Sequence, residues 1–241
     1  AIVSYQRLSY TIHDNAVKRV SAHSTTGDEP KVTAIPSFPE MRPIGLDDGP
    51  ALGGMLAELR PEQSELTFTN LFIWREAYEL RLSRVGESVA IFSWRADPED
   101  SFLLPPLGVG ADAEVVRRCL EHMAEKGHRA VMARATKADL ARIGESEFAI
   151  ETDRDNWDYV YRVEDLAELG GNRYHRKRNH IEQFTREHEF SYRPLTPELV
   201  AACRELQDKW CDEKHCDLVA TLRAEGRAVK EVLENLDALG V

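Results

Sequence analysis

The sequence contains no hydrophobic run long enough to cross a membrane. Ser101–Ala111, its longest notable uncharged stretch, is about half of the roughly 20 apolar residues that a spanning helix needs, and it includes Pro105 and Pro106. The opening residues lack the apolar segment of a secretion signal and carry no initiator methionine, so the numbering is expected to begin inside a longer reading frame. Cysteine is scarce: Cys119, Cys203, Cys211 and Cys216 form no CxxC pair, and without an export signal they read as reduced thiols of a cytoplasmic protein. Positive charge is in deficit. A net charge of −11 argues against bulk non-specific binding of nucleic acid, which needs a positive surface. No GxSxG motif and no persuasive Cys/His signature for nucleophilic catalysis is present. The sequence alone identifies no catalytic residue.

What the chain does have is the composition of a soluble globular protein, 42% hydrophobic and 30% charged over 241 residues, enough to build a sizeable core. Against its acidic background stands one basic island. Residues 172–188 hold Arg173, Arg176, Lys177, Arg178 and Arg186 against only Glu182 and Glu187, which points to an anionic ligand.

Residues 1–37 mix Ser, Thr, His, Gly and Pro without a sustained period and read as a poorly ordered leader, with at most one weak element near Val3–Val20. From Phe38 the pattern sharpens. A short strand is expected over Glu40–Ile44, and Asp47 and Asp48 cap a helix running through residues 50–60. Residues 64–78 give an apolar helical segment with Ser64 as its candidate cap and Asn70 in its middle, read either as a backbone-satisfied amide or as a ligand contact. Alternation on both sides of Gly86-Glu87 predicts a hairpin over 78–94. A strand over Ser101–Leu104 then runs into a Gly-x-Gly loop and a helix closed by Gly127. A buried strand (129–134), a short helix (137–143) and strands over 148–152 and 157–163 complete the first unit, 38–163. In the last of these, Trp157, Tyr159 and Tyr161 would share one face, as a packing surface or a stacking platform.

This order predicts the α+β class with a mixed sheet, and it is similar to the GNAT-type acyltransferase fold. That likeness implies a pyrophosphate site on free backbone N–H groups where the fourth strand opens into the third helix. Here Gly108 and Gly110 would form it, with Pro105 standing where a Gln or Arg is usual.

After Gly170-Gly171, a helix projected at 100° per residue puts Tyr174, Ile181 and Phe184 on one apolar face. Arg173, Arg176 and His180 line its side, while Lys177 falls inside the apolar arc, either snorkelling or aimed into a cleft. The segments SELTFTNLFIW and DYVYRVEDLAELGGNRYHRKRNHIEQF resemble two signatures of the phosphatidylglycerol lysyltransferase C-terminal domain family over roughly Phe38 to Val241. The resemblance implies two GNAT-type domains in tandem. Its named members move an aminoacyl group from a charged transfer RNA to a lipid headgroup. It also implies that Arg173, Tyr174, Arg176, Lys177, Arg178 and Asn179 contact a phosphate-bearing donor, either acyl-CoA or aminoacyl-tRNA. Residues 164–241 would then be a linker helix and the truncated start of a second unit: a strand over Glu189–Leu195, a helix from Pro197 to about Lys214, and another over Ala220–Leu239.

Acyl transfer in such a fold rests on positioning, proton removal and backbone donors to the oxyanion, with Glu65 and Tyr159 as candidate bases. Cys211, His215 and Cys216 offer soft donors, but no partner cluster completes a zinc site. Two readings stay open: a GNAT-type acyl- or aminoacyl-transferase, and a non-catalytic binder of RNA or a phosphorylated metabolite (or an inactive fragment). An incomplete second sheet would favour a homodimer.

Overall fold

The computed structural model describes residues 9–14, 35–144 and 148–240. One seven-stranded sheet carries the first two thirds of the chain, in the order β2-β3-β4-β5-β6-β1-β7. Its strands are β1 (Ser9–Asp14), β2 (Arg42–Pro43), β3 (Leu80–Val85), β4 (Ser88–Ser93), β5 (Phe102–Leu103), β6 (Val131–Ala135) and β7 (Phe148–Asp153). All neighbours are antiparallel except β5 and β6, which pair in parallel at Leu103↔Met132. A parallel pair needs a crossover, and α3 (Ala113–Glu125) supplies it.

Alternation along the central strands sends neighbouring side chains to opposite faces, and each face has its own helices. Phe92, Leu103 and Met132 pack with Val116, Leu120 and Met123 of α3 and Leu140 of α4 (Lys137–Ile143). Ile91, Leu104 and Leu82 pack on the other side with Leu52 and Leu56 of α1 (Gly49–Leu59) and Leu71 of α2 (Phe68–Ile73). Every residue of β4 is therefore buried, as in a strand covered on both faces.

Local signals place most of these elements where the sequence predicts them. Val85 and Ser88 close the β3–β4 hairpin over Gly86, whose φ of 64° suits a tight turn. The Asp112 carboxylate caps α3 at Val115 N, 3.1 Å away, and Thr136 with Asp139 forms a capping box on α4. Two expected caps are replaced. Thr67, not Ser64, caps α2, accepting from Asn70 N at 3.2 Å. Asp48 stands at the start of α1 without bonding its N–H groups, because its carboxylate is taken by the Arg42 guanidinium and by Gly45 N.

The expected leader lies mostly outside the described residues. Its described part is built into the fold: Ser9–Asp14 forms β1 between β6 and β7, Ile35 is buried, and Ser37 bridges Arg84. Of the expected strand over 157–163, only a single bridge residue, Tyr159, is formed among the described residues. Asp158 accepts from Ser64 N (3.1 Å) and Ser64 Oγ (3.0 Å), which fastens the segment to the α1–α2 connection. Tyr159 and Tyr161 are consequently exposed and make no shared packing face with Trp157, which lies against Arg154.

A helical region follows: α5 (Val163–Glu168), α6 (His175–Glu187), α7 (Pro197–Lys214), α8 (Ala220–Glu234) and α9 (Leu236–Leu239). The Glu189–Leu195 segment belongs to no helix or strand among the described residues, so the expected strand there is not formed. The α7–α8 hairpin is anchored on the first unit through α2. Arg75 pairs with Glu231 at 2.8 Å and Arg227 with Glu76 at 2.7 Å.

Candidate functional site

The α1–α2 connection, the end of α2 and the β5–β6 pair enclose a cavity of about 210 Å³. Its walls are Trp74, Tyr78 and Phe102, and its polar groups include Glu65, Asn70 and Arg134. Arg134 is the unusual residue. It sits near the end of β6 with φ 63°, the left-handed region that a non-glycine residue enters at a cost of roughly 1–3 kcal/mol.

Several contacts hold Arg134 in that conformation. Its carbonyl accepts from the buried Gln63 Nε2 at 3.3 Å. The same amide reaches Asp139 Oδ2, which also accepts from Thr136 N (2.9 Å) and Thr136 Oγ1 (2.8 Å). The other oxygen of Asp139 pairs with Arg142 at 3.2 Å, and Arg142 donates onward to Pro106 O and Ala111 O. One buried carboxylate thus ties the cavity's arginine to both ends of the glycine loop. The Arg134 guanidinium lies against the rings of Tyr78 (4.9 Å) and Phe102 (5.0 Å), which meet edge to face at 6.2 Å. Its NH1 is 3.3 Å from Glu65 Oε1.

Glu65, a candidate base from the sequence, is therefore in the cavity but ion-paired, whereas Tyr159, the other candidate, is exposed and does not line it. Asn70 donates to Ser64 O at 2.5 Å, as the backbone-satisfied reading expects, and it also lines the cavity. The sequence reading missed Arg134, Trp74, Tyr78 and Phe102 as a group. The available signal was Arg134 itself, a lone cation in the apolar strand VMARA.

The glycine loop has a structural reason for one of its glycines. Gly108 has φ 103°, and a Cβ there would lie 2.9 Å from the Glu87 carbonyl oxygen. Gly110 has ordinary room, its nearest neighbour being the buried Ser88 Oγ at 3.5 Å. Leu107 N is bound to Val89 O, and the Asp112 carboxylate already stands at the positive end of α3.

On α6 and the turn before it, the predicted contact residues divide by what they touch. Arg173 pairs with Asp165 at 2.8 Å and stacks over Tyr174, which is buried. Arg178 donates to Leu169 O and Gly171 O and so closes the end of α5. Asn179 lies 3.4 Å from His175 Nε2. Arg176 and Lys177 are exposed and have no hydrogen bond or ion pair among the described residues. Lys177 is not directed into a cleft, because the apolar arc around it is uncovered: Ile181 is 54% and Phe184 49% exposed.

Among the described residues no group of three or more His, Cys, Asp or Glu side chains is placed to hold a metal ion. Burial, reinforced by a hydrogen bond with Cys211, pushes the Cys216 thiol up to about 11, and burial pushes Cys119 up to about 12. Both are poor nucleophiles in that state. No helix among the described residues is long and apolar enough to cross a membrane.

Compared with known proteins, residues 56–241 match the family model described as phosphatidylglycerol lysyltransferase, C-terminal. The match begins inside α1, later than the Phe38 start that the sequence resemblance suggests. A crystal structure of a conserved protein of unknown function from Bacteroides thetaiotaomicron is similar at 27% identity with a TM-score of 0.67, covering 83% of this chain and 68% of that one. No curated protein matches.

Proposed function

The chain belongs to the phosphatidylglycerol lysyltransferase C-terminal family, and from that we propose that it is an acyl- or aminoacyl-transferase of GNAT type acting on an amine or hydroxyl acceptor. The observation that carries this reading is the family match, which takes in the cavity wall at α2, Arg134 and the whole of α6. The order of elements supports it. An antiparallel run β2–β5, a glycine-bearing loop, α3 and a parallel β6 is the arrangement in which a GNAT-type fold opens its substrate cleft.

In this reading Arg176 and Lys177 hold the phosphates of the donor, an acyl-CoA or an aminoacyl-tRNA. They are the cations on α6's first turn that make no hydrogen bond or ion pair among the described residues. Arg173, Tyr174, Arg178 and Asn179 set the start of the helix, and Gly108 and Gly110 border a second phosphate contact. The protein's catalytic task is mainly alignment of the two substrates, since amine or hydroxyl attack on an activated acyl group needs little covalent help. Calorimetric titration with acyl-CoA and with aminoacyl-tRNA tests the proposal. Binding of one of them, weakened by Arg176→Ala/Lys177→Ala, supports it; binding of neither sinks it.

A second reading is a non-catalytic binder of an anionic ligand, RNA or a phosphorylated metabolite. It is favoured by the Asp112 carboxylate at the N-terminus of α3, where a phosphate would otherwise gain most. It expects salt-sensitive binding with no transferred group detectable by mass spectrometry.

A further inference from the structure

The cavity beside β6 presents one cation and one anion side by side against aromatic walls. The side chains of Arg134 and Glu65 keep only 15% and 27% of their exposure. A pair so desolvated gains little from its own attraction, so a stabilising role is a weak explanation for it. Arg134 is also under-used. Its guanidinium has five donors, yet it makes the single 3.3 Å ion pair with Glu65 and no hydrogen bond among the described residues. The Tyr78 and Phe102 rings, edge to face with each other at 6.2 Å, flank it from one side, and the guanidinium lines the cavity. Its backbone is fixed by Gln63 and, through it, Asp139. A planar fork with unused donors at a cavity wall can receive a carboxylate by two parallel hydrogen bonds. Glu65, adjacent to it, is an acceptor for an ammonium.

We propose that this cavity binds a small α-amino acid as its zwitterion, with the carboxylate on Arg134, the ammonium on Glu65 and an apolar side chain against Trp74 and Tyr78. The ligand exchanges one internal ion pair for two intermolecular ones. Its two charges are separated by a single carbon, as required by partners 3.3 Å apart. A volume of about 210 Å³ accommodates a residue-sized molecule. The inference concerns binding of the free acid and does not depend on the transfer reaction proposed above.

The test is titration of the full chain with L-leucine and L-phenylalanine, followed by calorimetry and by the fluorescence of Trp74. Leucine is expected to bind, and leucinamide, which lacks the carboxylate, and isopentylamine, which lacks it as well, are each expected to bind about 10- to 100-fold more weakly. The same loss is expected for Arg134→Leu and for the nearly isosteric Glu65→Gln. A circular-dichroism melt for each variant separates loss of binding from loss of fold; Glu65→Gln keeps the test intact should Arg134→Leu fail to fold. Three outcomes overturn the inference: no response to any amino acid at millimolar concentration, full affinity in folded Glu65→Gln, or leucinamide binding as well as leucine. The last would leave an aminoacyl pocket and so spare the transferase reading, whereas amino-acid binding without any donor binding would sink that reading alone.

Discussion

Asp139 shows how much one side chain can organise. It accepts from Gln63, from Thr136 N and Thr136 Oγ1, and from Arg142, and it is buried. Asp139→Ala leaves the Gln63 amide and a backbone N–H without their acceptor, so unfolding in urea is expected to show a loss of about 3 kcal/mol. The two loop glycines give a sharper contrast. Gly108→Ala adds a Cβ at φ 103° against the Glu87 carbonyl and is expected to cost about 2 kcal/mol. Gly110→Ala meets only Ser88 Oγ at 3.5 Å and should be nearly neutral. Equal costs for the two would show that the loop can relax away from the hairpin. His122 sets a pH dependence. Burial first, then the nearby Lys126 and His128, hold its pKa below the ordinary value, with Glu125 opposing. The unfolded chain therefore takes up the proton more readily than the folded one. This contribution to stability is complete above about pH 6.5 and is lost as the pH falls through the window down to the folded value. The wild type is expected to lose more stability between pH 7.5 and pH 5.5 than His122→Phe, measured by denaturant unfolding. Trp94 fluorescence can report it, since that ring lies 5.8 Å from His122.

At the scale of elements, legibility followed the range of the interactions. The helix over 137–143, the β3–β4 hairpin and the stop at Gly127 rest on caps and turn residues a few positions apart, and each stands where the sequence puts it. The segment 157–163 carries an equally good strand pattern, but its partners are decided at long range. Asp158 is held by Ser64, 94 residues away, and β1 already occupies the place between β6 and β7. The clamp between α2 and α8 was invisible for the same reason. Its two ion pairs differ in burial, which sets an expectation for double-mutant cycles. Arg75–Glu231, with side chains 18% and 19% exposed, should show a coupling of about 1 kcal/mol, and the half-exposed Arg227–Glu76 only about 0.3 kcal/mol. A larger coupling in the exposed pair would mean that it, rather than the buried one, seats the hairpin.

At the scale of the whole molecule, apolar exposure is unevenly shared. Phe184, Phe190, Tyr192, Leu206 and Leu218 are all exposed beyond residue 157, whereas the sheet unit buries nearly all of its large apolar groups. The joint between the two regions is the irregular 188–196 segment, where no residue from 189 to 195 donates a backbone hydrogen bond among the described residues. Limited digestion with chymotrypsin is expected to cut first at Phe190 or Tyr192, because an exposed backbone outside helix and strand can enter a protease. A first cut inside the sheet unit would contradict this. By itself the sequence determined the class of the fold, most of its elements, the family and the basic helix, because periodicity, capping and motif spacing are local properties written along the chain. Only the tertiary structure decided which cations stay free. Arg173 and Arg178 are spent on Asp165 and on the end of α5, and Arg176 and Lys177 have no such partner among the described residues. It also decided that the chemically richest site lies around Arg134. That site joins residues from 64 to 134, and nothing in their spacing announces a meeting that depends on a parallel strand pair and a helix packed across it.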